Sequence, residues 1–513
     1  MKRTRALAIV ACLGVAACSS LPDNIQLPPS YAVSESADTR LARFSQPIMQ
    51  QWQSDHSGFR PLGDGVEALL ARLALAETAD KTLDVQYYIW HDDLTGRHFA
   101  NALLKAADRG VRVRVILDDL GANADDDILA AIDLHPNIEI RLFNPVASRT
   151  FRGLSMLGDF SRVNRRMHNK ALIADNQAAI VGGRNIGDEY FDASGDVAFG
   201  DLDLISFGPV VQQVSNAFDR YWNSRSVVPV AALHTVDAAQ LTQLRADLSA
   251  FVQDQRQSAY VQQSLGFLDE KIAAGPDPLF RGQAIALYDD PSKIRQAPEN
   301  LEGSLITQFA RLGSSLQREL FIVSPYFIPG DEGVAWLRGL AQRGVDVTIL
   351  TNSLSASDVG AVHAGYRRYR QQLLEAGIRL YELKPGAVEQ ANQLKKHRIG
   401  ASRASLHAKT FIFDRSAVFI GSLNLDPRSI QLNTEVGIVC INADMAQQLD
   451  QRLRQNLDHI AWRVQLSADD KGRLSWHEAG SDGEKVYDTE PQTSLWRRMS
   501  VWVIGLLPLE SQL

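Results

Sequence analysis

Two stretches of this chain carry one polar pattern. "HNKALIADNQAAIVGGRN" begins at His168 and "HAKTFIFDRSAVFIGSLN" begins at His407. Each runs His, any residue, Lys, four residues, Asp, six residues, Gly, a small residue, any residue, Asn. The histidines are offset by 239 positions (407 − 168 = 239). Gly110 and Gly344, each closing a helical pattern, are offset by 234 (344 − 110 = 234), and Pro145 and Pro385 by 240 (385 − 145 = 240). Matching offsets over several landmarks indicate a duplicated unit. That constrains the fold strongly, because whatever the first half builds the second must build again.

Each half reads as alternating strands and helices. "VEALLARLALAETAD" places Val66, Leu69, Leu70 and Leu73 on one helical face. The strand "LDVQYYIW" follows, then a helix "RHFANALLKAADRG" with Gly110 just past its end. In "VRVRVILDD", Val111, Val113, Val115 and Leu117 share one strand face. The second half repeats the order with "LFIVSPYFI", "EGVAWLRGLAQRG" and "VDVTILTN". The expected fold class is α/β, with a largely parallel sheet in each half. At 513 residues the chain has room for two such domains. The expected organisation is a signal segment over 1–17, a tether over 18–60, a first domain over 61–228, a linker or insert over 229–300, a second domain over 301–462 and an extension over 463–513.

Alternation along a strand puts His and Lys of each motif on the same face. Gly182 with Gly183, and Gly421 with Ser422, allow close backbone approach, and Asn185 and Asn424 follow as polar donors. Two such halves face to face would gather two imidazoles, two ammonium groups and two amides around one pocket. That set suits a phosphodiester. One His attacks phosphorus, the other protonates the leaving oxygen, and Lys170, Lys409, Asn185 and Asn424 hold the equatorial oxygens. One His-x-Lys strand alone would mean only polar residues at a sheet edge. The repetition argues against that, and no motif position is substituted in either copy, which argues against a fold kept only for binding.

The double His-x-Lys-x4-Asp signature resembles the phospholipase D superfamily over roughly Val66 to Leu453. "HNKALIADNQAAIVGGRNIGDEYF", "DLDLISFGPVV" and "LLPLESQL" are similar to the bacterial cardiolipin synthases, in particular their C-type branch. The resemblance implies two duplicated α/β/α sandwich domains facing each other across one active site. It also implies a phosphohistidine intermediate, with neither metal nor other cofactor. It makes His168 and His407 the nucleophile and the general acid/base, with the leaning towards His168 as nucleophile. It implies a downstream acid orienting each His: Glu435 for His407, and Asp201 for His168 with Asp203 as competitor. Asp175 and Asp414 belong to the signature and are expected to brace the strand-to-turn geometry.

The reaction so implied moves a phosphatidyl group to phosphatidylglycerol, with phosphatidylethanolamine a candidate donor. Hydrolysis of a phospholipid or of nucleic acid is an alternative, and a non-catalytic lipid-binding scaffold is another. A net charge of −7 and a pI near 5.9 weigh against a general nucleic-acid binder. Two local basic runs precede the motifs and are expected at the pocket mouth, where they would attract an anionic surface. They are Arg149, Arg152, Arg162, Arg165 and Arg166, and Lys395, Lys396, Arg398 and Arg403. The acidic run holding Asp118, Asp119, Asp125, Asp126 and Asp127 reads as a solvated loop and helix start, because Thr351 and Asn352 replace Asp118 and Asp119 in the second half. His91, His98, His363 and His397 read as ordinary surface or packing residues.

The ends speak of a membrane. "MKRTR" and an apolar run lead through "VAAC" to Cys18, the form of a bacterial lipoprotein signal, and a Ser- and Pro-rich stretch follows. Cys18 is therefore the expected lipidation site. Outside that segment only Cys440 remains, too few for a disulfide framework. At the other end Trp496, Arg497, Arg498 and Trp502 flank an apolar run too short to span a bilayer. Such a segment either lies in the interface or docks on the core. The expected location is a periplasm-facing membrane surface, inner or outer.

Overall fold

The computed structural model describes residues 21, 27–122, 125–149, 152–194, 197–275, 277–386, 403–467, 472–480, 483–507 and 510–512. Cys12, Cys18, Lys395, Lys396, His397 and Arg398 lie outside the described residues.

The first half contributes strands β1 (His56–Leu62), β2 (Thr82–Tyr87), β3 (Arg112–Asp118), β4 (Ile138–Phe143), β5 (Ala171–Ala174), β6 (Ala178–Gly182), β7 (Val197–Gly200), β8 (Asp203–Phe207) and β9 (Val227–Pro229). The rest of the chain contributes β10 (Phe280–Tyr288), β11 (Glu319–Val323), β12 (Asp346–Asn352), β13 (Arg379–Leu383), β14 (Arg403–Leu406), β15 (Lys409–Phe413), β16 (Ala417–Gly421), β17 (Val436–Ile441), β18 (Ala461–Leu466), β19 (Leu474–Gly480) and β20 (Gly483–Tyr487). All except β7 and β14 join one continuous sheet.

Its order shows the duplication. From the central β1–β10 pair, one side runs β8, β6, β5, β2, β3, β4, β9. The other side runs β17, β16, β15, β11, β12, β13, β18. Each step has its counterpart. Strands β2, β3 and β4 are parallel, as are β11, β12 and β13. Strand β10 comes from the 229–300 stretch expected as a linker or insert, and it sits at the sheet's centre.

Strand alternation divides the core into three. Val113, Val115 and Leu117 face a core covered by helices Gly65–Thr78 and Leu94–Asp108. Phe411 and Phe413 face the matching core of the second half. Ile116 and Ile412 point the other way, into a core that both halves share with helices Pro209–Trp222 and Ala443–Ile460. The halves therefore bury one common apolar layer.

One helical face differs from expectation. On helix Gly65–Thr78 the buried stripe is Val66, Leu69, Arg72, Leu75 and Ala76, while Leu70 and Leu73 are half-buried. Arg72 takes a core position because Asp203, itself buried, pairs with it at 2.9 Å. A paired guanidinium is tolerated where a bare one is not.

The motif aspartates sit in the turns joining β5 to β6 and β15 to β16. Asp175 and Asn176 both have positive φ, as do Asp414 and Arg415. Asp and Asn tolerate this left-handed backbone better than most residues. Asp175 accepts hydrogen bonds from the backbone N–H groups of Asp80, Lys81 and Thr82. Asp414 does the same for Gln317, Arg318 and Glu319. Each carboxylate thus ties its turn to the start of β2 or β11.

Candidate active site

Each motif histidine is delivered by its own half and gripped by the other. The His168 N–H donates to Thr434 O at 2.9 Å, and Met167 bridges to Thr434. The His407 N–H donates to Gly200 O at 2.8 Å, where β14 pairs in parallel with β7. The side chains follow the backbone. His168 Nδ1 lies 3.0 Å from Glu435, and His407 Nδ1 lies 2.5 Å from Asp201.

This corrects the pairing expected from sequence, which joined Glu435 to His407 and Asp201 to His168. The acids cross over, because the segment ahead of β17 pairs with the first half's motif and the segment ahead of β8 with the second's. Asp203 serves neither histidine. It is buried between Arg72 and Arg184, at 2.9 and 3.3 Å.

The small residues after the motif glycines fit this crossing differently in the two copies. A Cβ on Gly183 would lie 2.1 Å from Asp201 Oδ1, so the carboxylate reaches His407 only past a glycine. At the matching position Ser422 keeps its side chain, and its hydroxyl donates to Glu435. Sequence reasoning did not single out Ser422 as a partner of the acid. Its place 13 residues before Glu435 gave no periodic signal.

His168, Lys170, His407 and Lys409 are all buried. Lys170 Nζ donates to His168 O at 2.7 Å, and Lys409 Nζ donates to His407 O. An ammonium has three donors, so each retains capacity for a phosphate oxygen. Asn185 Oδ1 accepts from the Ile89 N–H at 3.2 Å, and its Nδ2 donates to Tyr190 OH at 2.9 Å. Asn424 Oδ1 is buried without a hydrogen-bond partner among the described residues. Two rings that the sequence reading missed flank the imidazoles. Tyr88 lies edge-on to His168 at 5.2 Å and Tyr190 to His407 at 5.3 Å.

Electrostatics separates the two histidines. Burial, then Lys170, Lys409 and His407, hold His168 well below the usual imidazole range. Burial pushes the Glu435 carboxyl up to about 7, against the pull of Lys170. Burial and Lys409 also lower His407, but the charge and hydrogen bond of Asp201 oppose them. Asp201 itself is held below the usual carboxylate range: burial raises it, and His407 and Lys409 outweigh burial. Burial lowers the Lys409 ammonium to about 8 and holds the Lys170 ammonium well below its usual range. One histidine therefore faces a carboxyl near its neutral point, and the other an ionised one.

The first basic run is not a free surface at the mouth. Arg149 is bonded to Asp119 and Asp126, and Arg152 to Asp126. Arg162 is bonded to Asp159, Arg165 to backbone carbonyls of Ile294 and Gln296, and buried Arg166 to Asp118 at 3.0 Å. The same bonds correct the reading of the acidic run, since Asp118 and Asp119 are buried partners of these arginines. Asp125 caps a helix, and Asp127 meets His234. His363 is buried beside Glu490. His91 joins Asp93 and Glu189, whose ligating atoms lie within 4.8 Å of one another. No motif residue belongs to that group.

The family described as "Cardiolipin synthase, PLD-like domain" matches residues 72–222 and 310–457. Cardiolipin synthase C of Escherichia coli (strain K12) is 44% identical over 477 residues, covering 92% of this chain and 99% of that protein. Cardiolipin synthase A of Pseudomonas entomophila (strain L48) is 28% identical, covering 77% of this chain and 67% of its own length. In fold the chain is similar to phosphatidylserine synthase of Haemophilus influenzae Rd KW20. That match has a TM-score of 0.56 at 14% identity and covers 92% of this chain and 100% of that one.

Proposed function

This chain belongs to the phospholipase D-like cardiolipin synthase family, and on that premise we propose that it is a phosphatidyltransferase making cardiolipin from phosphatidylglycerol and a second phospholipid. The observation that carries the chemistry is the pair of crossed His–acid contacts, His168 with Glu435 and His407 with Asp201, buried with two lysines.

The roles follow from the two environments. A nucleophile must be neutral, and His168 is the histidine held further from protonation. Its Nδ1 engages Glu435, which leaves Nε2 to attack phosphorus. His407, with ionised Asp201 behind Nδ1, gives its proton to the leaving headgroup oxygen. The phosphatidyl group is then on His168. His407 next takes the proton of the phosphatidylglycerol hydroxyl, which attacks phosphorus and restores His168. Lys170, Lys409, Asn185 and Asn424 hold the phosphate oxygens as charge builds on them. Asp175 and Asp414 act on the turns and touch no phosphate. Phosphatidylethanolamine is the proposed donor, after the C-type branch.

The protein works at a membrane. Among the described residues no helix is long and apolar enough to cross one. Helix Leu495–Ile504 buries Val501 against Leu354 and Ala364. It exposes Leu495, Trp496, Met499, Trp502 and Val503, with Leu506 and Leu507 after it, and Trp496 is 77% exposed. A stripe of Trp and Leu beside Arg497 and Arg498 suits the bilayer interface. We place this face on lipid and assign the second anchor to Cys18; Cys18→Ala should abolish acyl labelling.

The test is purified protein with vesicles of phosphatidylglycerol and phosphatidylethanolamine. Cardiolipin should form at the same rate with and without chelator. Phosphatidic acid as the sole product would make the enzyme a hydrolase, and binding without turnover would make it a scaffold.

A further inference from the structure

The halves repeat their elements but not their surfaces. In the second half an apolar groove of about 560 Å³ opens between helix Leu305–Ser314, the start of helix Gly330–Gln342 and the segment from Leu425 to Gln431. Ile306, Phe309, Phe327, Trp336, Leu425 and Ile430 line it. That volume is typical of small-molecule pockets.

The first half fills the same place with its own chain. Phe191 stands where Ile430 stands in the repeat (430 − 191 = 239) and is fully buried. Arg72 lies over its ring at 5.1 Å, and Tyr260 donates to its carbonyl at 2.7 Å. Tyr260 belongs to helix Ala259–Ala274, which packs on helix Gly65–Thr78, the counterpart of Leu305–Ser314.

One segment of chain serves both the groove and the site. The groove wall begins at Leu425, next to Asn424, and the same segment runs on to Glu435, the partner of His168. Phe327 and Leu425, joined by a β-bridge, both line the groove. At the rim Glu510 bonds Arg368 and Tyr369, just beyond the exposed helix Leu495–Ile504.

Resting on the phospholipid reading above, we propose that this groove holds one acyl chain of the lipid whose phosphate lies between His168 and His407. The lipid is then gripped at two places, polar at the motifs and apolar along Leu425 and Ile430. Burying methylenes there supplies binding that a headgroup alone does not.

Two filling substitutions from different walls test this, Ala310→Trp and Glu332→Trp, both at exposed groove-lining positions. Transfer is measured with long-chain phosphatidylglycerol vesicles, with its dihexanoyl analogue and with bis(4-nitrophenyl) phosphate, and melting temperature checks folding. Both variants should lose at least about tenfold in kcat/KM on the long-chain lipid, with less than about twofold change on the chain-free diester. Equal losses on all three substrates, or undiminished long-chain turnover, overturn the groove. A parent that cleaves the diester but not the lipid overturns the phosphatidyltransferase reading instead, and the groove with it.

Discussion

His168 and His407 occupy equivalent places in a duplicated sheet, yet they meet different company. His168 faces Glu435, whose carboxyl burial raises to about 7 and whose second contact is the Ser422 hydroxyl. His407 faces Asp201, ionised and pressed against Gly183. The strands that carry the two motifs match one for one, so the difference arises from the side chains around each histidine. A symmetric frame carries an asymmetric pair, as a mechanism needs when one group attacks and the other donates a proton.

The largest expected effect tests whether the pair is a unit at all. His168→Ala and His407→Ala should each lose several orders of magnitude in kcat, and the double variant should be little worse, because groups acting as one are not additive. Substantial activity in either single variant would mean two independent sites. A donor with an activated leaving group needs little protonation, so it should rescue His407→Ala and not His168→Ala. The reverse pattern would exchange the roles.

Next come the acids. Asp201→Asn should cost about ten-thousandfold, as loss of a triad acid does, since it removes the charge that opposes burial and Lys409 and stabilises the His407 imidazolium. Glu435→Gln should cost less, because a glutamate half neutral near pH 7 has less charge to lose than the ionised Asp201. Steady-state kinetics with the activated donor should rescue Asp201→Asn as it rescues His407→Ala. Equal losses for the two acids would erase the proposed division of labour.

A smaller effect probes the neighbours. Gly183→Ser forces a Cβ into Asp201 and should destabilise the fold by about 2 kcal/mol or more. Ser422→Gly removes the hydroxyl that bonds Glu435 and the Val436 backbone, and leaving these buried groups short of a partner should cost about 1–3 kcal/mol. Denaturant melts of both variants decide this.

The last comparison is in pH. Glu435 has its folded value raised, so its stability contribution is complete below the unfolded value of 4.5 and is lost as pH rises through about 7. Asp201, held low, contributes above its unfolded value of 3.8 and loses that as pH falls below it. Glu435→Gln should therefore flatten the stability profile between about pH 4.5 and 7 while leaving the acid limb intact. Melting temperature against pH reads both limbs.

Much of this was legible in the sequence. Val113, Val115 and Leu117 keep one strand face by simple alternation, and the motif offsets matched the repeat that the sheet order displays. Arg72 was not legible, because a helical stripe broken by a guanidinium makes sense only once Asp203 arrives from 131 residues away. The acid pairing failed for the same reason. Sequence reading joined each histidine to the acid downstream in its own half, whereas the Thr434 and Gly200 contacts cross between halves. The arginines of 149–166 looked like a surface, but their partners Asp118, Asp119 and Asp126 lie in another segment.

The crossed acids also bear on ancestry. A closed dimer of two identical half-chains, each lending its acid to the other's histidine, would be bound by its two-fold axis to use the same acid twice. Fusing the copies into one chain lifts that obligation, and an Asp opposite a Glu is what such freedom leaves behind. It follows that separately produced halves should complement one another only in one combination, first with second. Two first halves would bring Asp201 to His168, and the glutamate that belongs there would be missing.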